Sequence, residues 1–371
     1  MNNRYAIIGY IVDKALDSVT KEDTHKMTHI NVAFGRIADA RVHVSPATKL
    51  GYAQKLKEHN PHLQVILSIG GWGAGGFSET ASSAELRSRF ADSAVEIVRQ
   101  YRLDGIDLDW EYPCYSVAGI ASSPQDKDNF TLLIREIRTH LDRVEQEDGK
   151  HYILSIAAGA DQYYIDGTRM NEIHRYLDYV QLMTYDMRGG FQTLTGHHTN
   201  LYTSTGDLFR ISVDASVKMF RAAGVPADKI VIGAAFYSRM WRNVPNRNNG
   251  LFQNSPGPGG YGPSYGDLVA NYINKSGYTR YWDAEAQAPY LFNGTDFISY
   301  DDEESIRAKC EYVRTHGLAG IMFWEYSCDP THTLLDAIYS ALRLSQVDGL
   351  RRSARPRTVP GGLPIDHLPR S

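Results

Sequence analysis

Acidic and apolar residues alternate in one short segment of the chain, 103–113, which reads LDGIDLDWEYP. Asp107, Asp109 and Glu111 each lie two residues apart, so on a β-strand their side chains share one face and the apolar residues between them share the other. Asp104 has the opposite parity and is expected to be a structural cap or an ion-pair partner. The pattern predicts a strand that carries three carboxyl groups into the interior of the protein.

Three neighbouring carboxyl groups in a poorly solvated interior cannot all ionise, so at least one of them has to keep a proton. A carboxylic acid that stays protonated near neutral pH is what a general acid for glycosidic bond cleavage requires. Glu111 has the longest side chain and lies nearest the carboxyl end of the strand, so it is the predicted proton donor.

The acidic cluster has two other interpretations, a Mg²⁺ or Ca²⁺ site and a solvated strand face. The interleaved apolar residues argue against a solvated face. The sequence shows no histidine ligands and no separate carboxylates at neighbouring strand ends, which argues against a metal. No metal and no cofactor are therefore expected.

Short apolar or β-branched runs alternate with longer segments of helical period, such as 84–101 and 128–147, a pattern typical of a parallel sheet. About eight runs are present, the number that closes a (β/α)8 TIM barrel, while a doubly wound open sheet is the alternative. The predicted strands are 5–11, 29–34, 64–69, 105–111, 152–157, 179–183, 230–233 and 319–324.

One connection is far longer than an ordinary strand-to-helix loop and is rich in Gly, Pro, Asn, Tyr and Trp. We expect residues 241–299 to form a small α+β subdomain inserted between the seventh strand and its helix. The barrel would then comprise 1–240 and 300–346. Residues 347–371 have clustered arginines, prolines and glycines, and are predicted to be a disordered tail or a cloning remnant.

The overall composition fits a folded enzyme, with 42% hydrophobic and 22% charged residues. A net charge of -4 gives no basic excess for a nucleic acid partner, and no apolar run is long enough for a membrane helix. The three cysteines show no disulfide or zinc spacing and are expected to be small buried hydrophobes. Localisation stays open; we expect export rather than a cytoplasmic location if the numbering starts at a mature N-terminus.

The acidic segment resembles the D-x-x-D-x-D-x-E signature of glycoside hydrolase family 18. Further similarities to the family follow in barrel order, although Ser238 replaces a usual glycine. The insertion resembles the family's chitinase insertion domain. The similar segments read SIGGW at 68–72, QLMTYD at 181–186, FYSR at 236–239 and MFWE at 322–325.

The resemblance implies a chitinase, which hydrolyses β-1,4-linked N-acetylglucosamine polymers or oligomers with retention and uses the substrate's own acetamido oxygen as nucleophile. It implies that Glu111 is the general acid and base and that Asp109 holds the acetamido N–H. Asp107 would share a proton with Asp109, and Tyr185 would hydrogen-bond the acetamido carbonyl. Chitin or chitooligosaccharides are the expected partners of a monomeric enzyme.

The resemblance also implies a set of substrate-binding residues, with Trp324 as the floor of the site. For Tyr10 and Phe34, packing at the barrel bottom is the alternative. Non-proline cis peptides are expected at 111–112 and 324–325. A non-catalytic chitin-binding lectin on the same fold and an endo-β-N-acetylglucosaminidase acting on N-glycans are the alternative functions. The implied binding residues are Asp186, Met183, Trp324, Trp72, Tyr112, Tyr237, Arg239, Tyr10 and Phe34.

Overall fold

The computed structural model describes residues 5–353, with side chains as far as residue 343. Eight parallel strands form one sheet, in which the first strand pairs with both the second and the eighth. This double pairing closes the sheet into a (β/α)8 TIM barrel, as predicted, and excludes the open doubly wound alternative. The barrel strands, numbered first to eighth below, are Ala6–Val12, His29–Ala38, Gln64–Gly70, Gly105–Asp109, Ile153–Gly159, Tyr179–Met183, Ile230–Ala235 and Gly320–Trp324.

The barrel strands are apolar on both faces because one face packs on helices and the other fills the interior. In the first strand, Ile7 and Ile11 belong to the large cluster under the helices. Ile8 and Tyr10 point the other way, into a smaller cluster inside the barrel. The near-continuous apolar runs in the sequence follow from this two-sided burial.

Helices follow the strands and pack against the outside of the barrel. Their starts are capped by side chains; for example, Ser83 accepts a hydrogen bond from the backbone N–H of Leu86, and Asp302 and Ser305 form a capping box. A short strand, Arg41–His43, forms a hairpin with the end of the second barrel strand and pairs antiparallel with it. The helices between or after the strands are Lys21–Lys26, Ala53–His59, Phe77–Ala81, Ala84–Gln100, Asp126–Asp148, Gln162–Asp166, Met170–Ile173, Val213–Ala222, Glu303–Thr315 and Thr333–Ser353.

A five-stranded antiparallel sheet is inserted after the seventh barrel strand. Its first strand starts at Tyr237, so the inserted sheet begins slightly earlier than the expected boundary at 241. Tyr265–Asp267 is a short helix beside this sheet. The strands of the insertion are Tyr237–Trp241, Gly260–Ser264, Thr279–Asp283, Ala288–Phe292 and Phe297–Ser299.

A fully buried ion pair joins the insertion to the barrel. The Lys309 ammonium lies 2.6 Å from a carboxylate oxygen of Asp301, just after the last strand of the insertion. The same Asp301 oxygen accepts a hydrogen bond of 3.0 Å from the backbone N–H of Ala235, at the end of the seventh strand. Lys309 also donates to Thr199, whose hydroxyl donates to the carbonyl oxygen of Thr184 after the sixth strand. The network therefore ties residues 301–309 to Thr199 and to the carboxyl ends of the sixth and seventh barrel strands.

The C-terminal part of the chain departs from expectation. The last helix, Thr333–Ser353, extends into the segment predicted to be a disordered tail from 347. The rest of that predicted tail, 354–371, lies outside the described residues. No helix among residues 5–353 is long and apolar enough to cross a membrane.

The three cysteines are all free. Cys310 is buried as expected. Cys114 and Cys328 are partly exposed, so the prediction that all three are buried was wrong for these two. Cys114 lies in the loop after the fourth strand, and Cys328 ends the short 3-10 helix Tyr326–Cys328.

Candidate active site

The fourth barrel strand places its residues as the alternation predicts. Trp110 is fully buried on the helix side, stacked on Phe77 with ring centres 5.2 Å apart and meeting Phe130 edge-on. Asp107 lies on the opposite side, in contact with other residues of the barrel interior. Asp104, of the other parity, forms ion pairs with Lys57 and Lys150, so its predicted structural role is confirmed.

Asp107 is fully buried and accepts four hydrogen bonds, two at each carboxylate oxygen. Tyr10 and Ser68 donate to Oδ2 at 2.8 and 2.7 Å, and Ser155 and Gln181 donate to Oδ1 at 2.7 and 2.9 Å. Burial raises the pKa of Asp107, while the four donors oppose that increase. All four accepting positions are therefore occupied by partners other than Asp109.

Asp109 lies one step further along the same face. Burial, reinforced by the negative charges of Glu111 and Asp107, raises the pKa of Asp109 well above its usual range, and Arg36 acts in the opposite direction. Its Oδ1 atom is buried and has no hydrogen-bond partner among the described residues. Asp109 thus offers a free carboxyl oxygen to a group that enters the site.

Glu111 follows the end of the strand and is 9% exposed. Burial raises its pKa to about 7, and the charge of Asp186 adds to the increase. A carboxyl group with this pKa is protonated in a large fraction of molecules near neutral pH, which suits a general acid. The peptide between Glu111 and Tyr112 is cis, as predicted, and so is the one between Trp324 and Glu325; a third joins Ala33 and Phe34.

Tyr185 and Asp186 follow the sixth strand. Burial raises the pKa of Tyr185 well above its usual range, so its hydroxyl group remains a donor. That hydroxyl lies 3.7 Å from the sulfur of Met322, a weak acceptor, which leaves it available to a stronger one.

Asp186 is held as a carboxylate by two neighbours. Arg239 donates from Nε to its Oδ1 at 2.6 Å, and the ring of His198 lies 3.7 Å from the same oxygen. Burial acts to raise the pKa of Asp186, but the nearby His198 ring and the hydrogen bond from Arg239 outweigh it and hold the pKa below its usual range. The charge of Asp186 in turn favours the protonated form of Glu111.

Trp324 ends the eighth strand and lies against Phe34, with nearly parallel rings whose centres are 5.5 Å apart. Tyr10 lies beneath this pair, 5.9 Å from the Trp324 ring, and is 1% exposed. Tyr10 does not line the cavity, in contrast to the prediction that it completes a wall. The reason is that its side chain points toward the barrel centre, where its hydroxyl group binds Asp107.

These residues surround a cavity of about 670 Å³ at the carboxyl ends of the strands. Asp107 lies below the cavity, behind its four donors. The other predicted site residues line it, namely Asp109, Glu111, Tyr112, Phe34, Trp72, Met183, Tyr185, Asp186, Tyr237, Arg239 and Trp324.

The serine that replaces a family glycine does not disturb this lining. Tyr237 and Arg239 lie two residues apart on the first inserted strand, so both face the cavity. Ser238 between them faces away and donates a hydrogen bond of 2.7 Å to the carbonyl oxygen of Pro263.

Several cavity residues were not predicted from the sequence. Most of them lie in loops that only the fold brings together, so no local pattern marks them. Arg36 lies two residues after Phe34 on the same strand and could have been found by that parity. The unpredicted lining residues are Arg36, Tyr115, Val117, Ala160, Asp161, Tyr163, Met187, Gly190, Phe191, Gln192, Ile211 and Tyr261.

The cavity therefore combines a protonated carboxyl group, a second carboxyl with a free oxygen, a tyrosine hydroxyl donor and an aromatic floor. Such a set can protonate a leaving oxygen while it holds a polar substituent of the same ring. Within residues 5–353, no group of three or more His, Cys, Asp or Glu side chains is arranged to hold a metal ion.

Comparisons with known proteins agree with this arrangement. Residues 6–329 match the sequence model of Glycosyl hydrolases family 18. Chitinase A1 of Niallia circulans is 41% identical over 313 residues, which are 80% of this chain and 45% of that protein. Chitotriosidase-1 of Mus musculus is 32% identical over 319 residues, 83% of this chain and 68% of that protein. The chain thus spans about half the length of the first of these relatives.

A solved structure is more similar still. The family 18 N-acetylglucosaminidase from Paenibacillus barengoltzii has a TM-score of 0.90 and 64% sequence identity, with coverage of 91% of this chain and 99% of that one. The fold is therefore shared with a solved structure of closely similar sequence.

Proposed function

This chain belongs to glycosyl hydrolase family 18, and from that premise we propose that it is a chitinase that hydrolyses β-1,4-linked N-acetylglucosamine polymers or oligomers with retention. The observation that carries the proposal is the position of Glu111. Its carboxyl group lines a cavity floored by Trp324, has a pKa near 7, and lies next to Asp109 with its free oxygen.

In the proposed reaction the sugar whose bond is cleaved lies on Trp324, whose flat ring suits the apolar face of a pyranose. Glu111 donates its proton to the glycosidic oxygen as the bond to the anomeric carbon breaks. The acetamido oxygen of the same sugar forms the new bond to that carbon, so no enzyme carboxylate acts as nucleophile. Glu111, now a carboxylate, then removes a proton from the water that opens the cyclic intermediate.

The remaining groups hold the acetamido substituent. The free oxygen of Asp109 accepts a hydrogen bond from the acetamido N–H. Asp109 also stabilises the positive charge that develops on the substrate. Tyr185 donates a hydrogen bond from its hydroxyl group to the acetamido oxygen, which directs that oxygen toward the anomeric carbon. Asp107 keeps its four donors and holds a fixed position beneath Asp109.

The test is turnover of defined N-acetylglucosamine oligomers by the wild type and by Glu111→Gln. We expect the variant to lose about three orders of magnitude in kcat while it retains oligosaccharide binding, since a positioned general acid contributes about 10² to 10⁴-fold. Binding without turnover in the wild type would instead identify a lectin on the same fold. The substrate supplies its own nucleophile, so EDTA should leave the activity unchanged.

A second candidate is an N-acetylglucosaminidase that releases single sugars, because the 64% identical neighbour carries that name. Mass spectrometry of the earliest products separates the two. Release of monomer from every oligomer length favours the second candidate, while release of dimers and longer products favours the chitinase. Cleavage of a glycoprotein N-glycan with no action on chitin oligomers would identify the endo-β-N-acetylglucosaminidase alternative.

A further inference from the structure

Large apolar side chains with high exposure are few in the described part of the chain, and they are concentrated at the cavity. Four of the six line the cavity itself, namely Trp72, Val117, Phe191 and Tyr261. The other two, Leu208 and Phe209, are 79% and 45% exposed and do not line it. Single exposed apolar residues need no explanation, but an adjacent pair beside a binding cavity does.

The ring of Phe209 is held from its inner side. The Arg188 guanidinium lies 4.1 Å from the ring centre and is itself only 2% exposed, so it covers one face of the ring. Arg188 forms an ion pair with Asp207, and a carboxylate oxygen of Asp207 accepts a hydrogen bond of 3.0 Å from the backbone N–H of Phe209. The exposed surface of Phe209 is therefore presented outward by a buried polar support rather than by a loose loop.

Leu208 and Phe209, named here the Leu208–Phe209 patch, adjoin the cavity wall on two sides. Ile211, two residues further along the chain, lines the cavity. On the other side, Arg188 directly follows Met187, which also lines it. The patch and the arginine that supports it thus lie within two residues of the cavity wall along both chain segments.

We infer that the Leu208–Phe209 patch is an accessory binding surface for polymeric substrate, which contacts sugar rings of an insoluble chitin chain beyond those held in the cavity. The inference rests on the proposed function. The C–H faces of pyranose rings are apolar, and a rigidly held aromatic ring with an aliphatic neighbour buries them with little loss of side-chain freedom. The cavity holds short oligomers without the patch, so only long or insoluble chains gain from it.

The test uses Leu208→Ser/Phe209→Ala in the full chain, with Phe209→Tyr as the matched variant that keeps an aromatic ring. Binding is measured by co-sedimentation with insoluble chitin in the Glu111→Gln background, so that hydrolysis does not interfere. We expect the double variant to bind insoluble chitin about tenfold more weakly, from the loss of two apolar contacts. Phe209→Tyr should bind like the parent, and kcat/KM for a soluble oligomer should stay within about twofold in the otherwise wild-type enzyme.

Unchanged chitin binding by a double variant that turns over soluble oligomers normally would overturn the inference and leave the proposed function intact. Equal losses on soluble and insoluble substrate would also overturn it, because the patch would then act through the cavity. So would a wild-type dimer in sedimentation velocity that the double variant converts to monomer without altered chitin binding, since the patch would then join two copies. Failure of the wild type to cleave soluble oligomers would count against the proposed function itself.

Discussion

Tyr10 and Asp107 are joined by a hydrogen bond of 2.8 Å that crosses the barrel interior from the first strand to the fourth. Both side chains are almost completely buried. The bond links the aromatic layer under Trp324 to the carboxyl group beneath Asp109.

Tyr10→Phe removes this donor and keeps the ring. We expect the variant to be about 2 kcal/mol less stable, because a hydrogen bond to a buried charged group is lost. Loss of a donor to the carboxylate raises the pKa of Asp107, so the acidic limb of the kcat/KM profile should move to higher pH. Chemical denaturation and a pH–rate profile measure the two effects.

Tyr164→Phe is the matched control for that experiment. The Tyr164 hydroxyl is equally buried but has no hydrogen-bond partner. Its removal should leave both stability and the pH profile close to those of the wild type. A loss as large as that of Tyr10→Phe would show that the effect comes from any buried tyrosine hydroxyl rather than from the bond to Asp107.

The pKa of Glu111 leads to a second prediction, which concerns how the stability of the folded protein depends on pH. Folding raises this pKa from 4.5 to about 7, so the folded state disfavours the charged form. Stability attributable to Glu111 is therefore full below about pH 4.5 and is lost as pH rises through 7. Glu111→Gln stays neutral throughout and should be more stable than the wild type by about 3 kcal/mol above pH 7.5, with little difference at pH 4.

Thermal denaturation of both proteins at pH 4, 6 and 8 measures this difference. Glu85→Gln, in the first turn of a helix on the surface, is the control and should show no such increase. Equal stability of wild type and Glu111→Gln at pH 8 would contradict the buried environment of Glu111. The kcat/KM of the wild type should also fall about tenfold per pH unit above 7, because the acid loses its proton.

Gly70 ends the third barrel strand and lies opposite Asp109 on the fourth strand, which carries the acidic residues. Its φ is +123°, and a Cβ atom there would lie 2.0 Å from the carbonyl oxygen of Asp109. Gly70→Ala should therefore displace Asp109 and lower kcat by at least about tenfold, as expected when a reacting group moves by a fraction of an ångström.

Gly75→Ala, in the following loop, is the control for that variant, because a Cβ there meets nothing within 4 Å and the φ of Gly75 is not in the positive region. We expect it to retain activity. Full activity of Gly70→Ala, or an equal loss in both variants, would argue against a packing role for Gly70. Steady-state kinetics and circular dichroism together separate loss of activity from loss of fold.

Lys309→Met tests the ion pair that joins the insertion to the barrel. It leaves the Asp301 carboxylate buried without its cation and should reduce the free energy of unfolding by about 3 to 5 kcal/mol. Lys218→Met breaks a pair with Asp214 in which the lysine is 74% exposed, and should change it by less than about 1 kcal/mol. Urea denaturation measures the free energy of unfolding of both variants. Equally small decreases in the two would contradict the stabilising role of Lys309.

The sequence was most informative where a local pattern carries a structural constraint. Alternation alone predicted that Asp107 and Trp110 face opposite sides of one strand, because the pleat fixes side-chain direction. It could not predict that Asp107 is enclosed by four donors from four other segments, since those partners come from distant parts of the chain.

The same limit explains the errors. Tyr10 was expected in the cavity wall because the resemblance to the family implied it, but its depth in the barrel depends on the register of neighbouring strands. Phe191 was missed because it lies in a loop without regular spacing. Tyr261 was missed because its short strand, Gly260–Ser264, is built largely of Gly and Pro and shows no alternating pattern. The helix that continues to Ser353 was missed because its composition resembles a linker, whereas its backbone continues the preceding helical turns.

The first strand of the inserted sheet carries Tyr237 and Arg239 into the cavity. The insertion is thus no separable module, since its sheet begins with residues that touch the proposed substrate site. If this segment were exchanged between relatives, residues of the proposed substrate site would be exchanged with it. Selection on the inserted sheet and selection on the cavity therefore act on the same stretch of backbone.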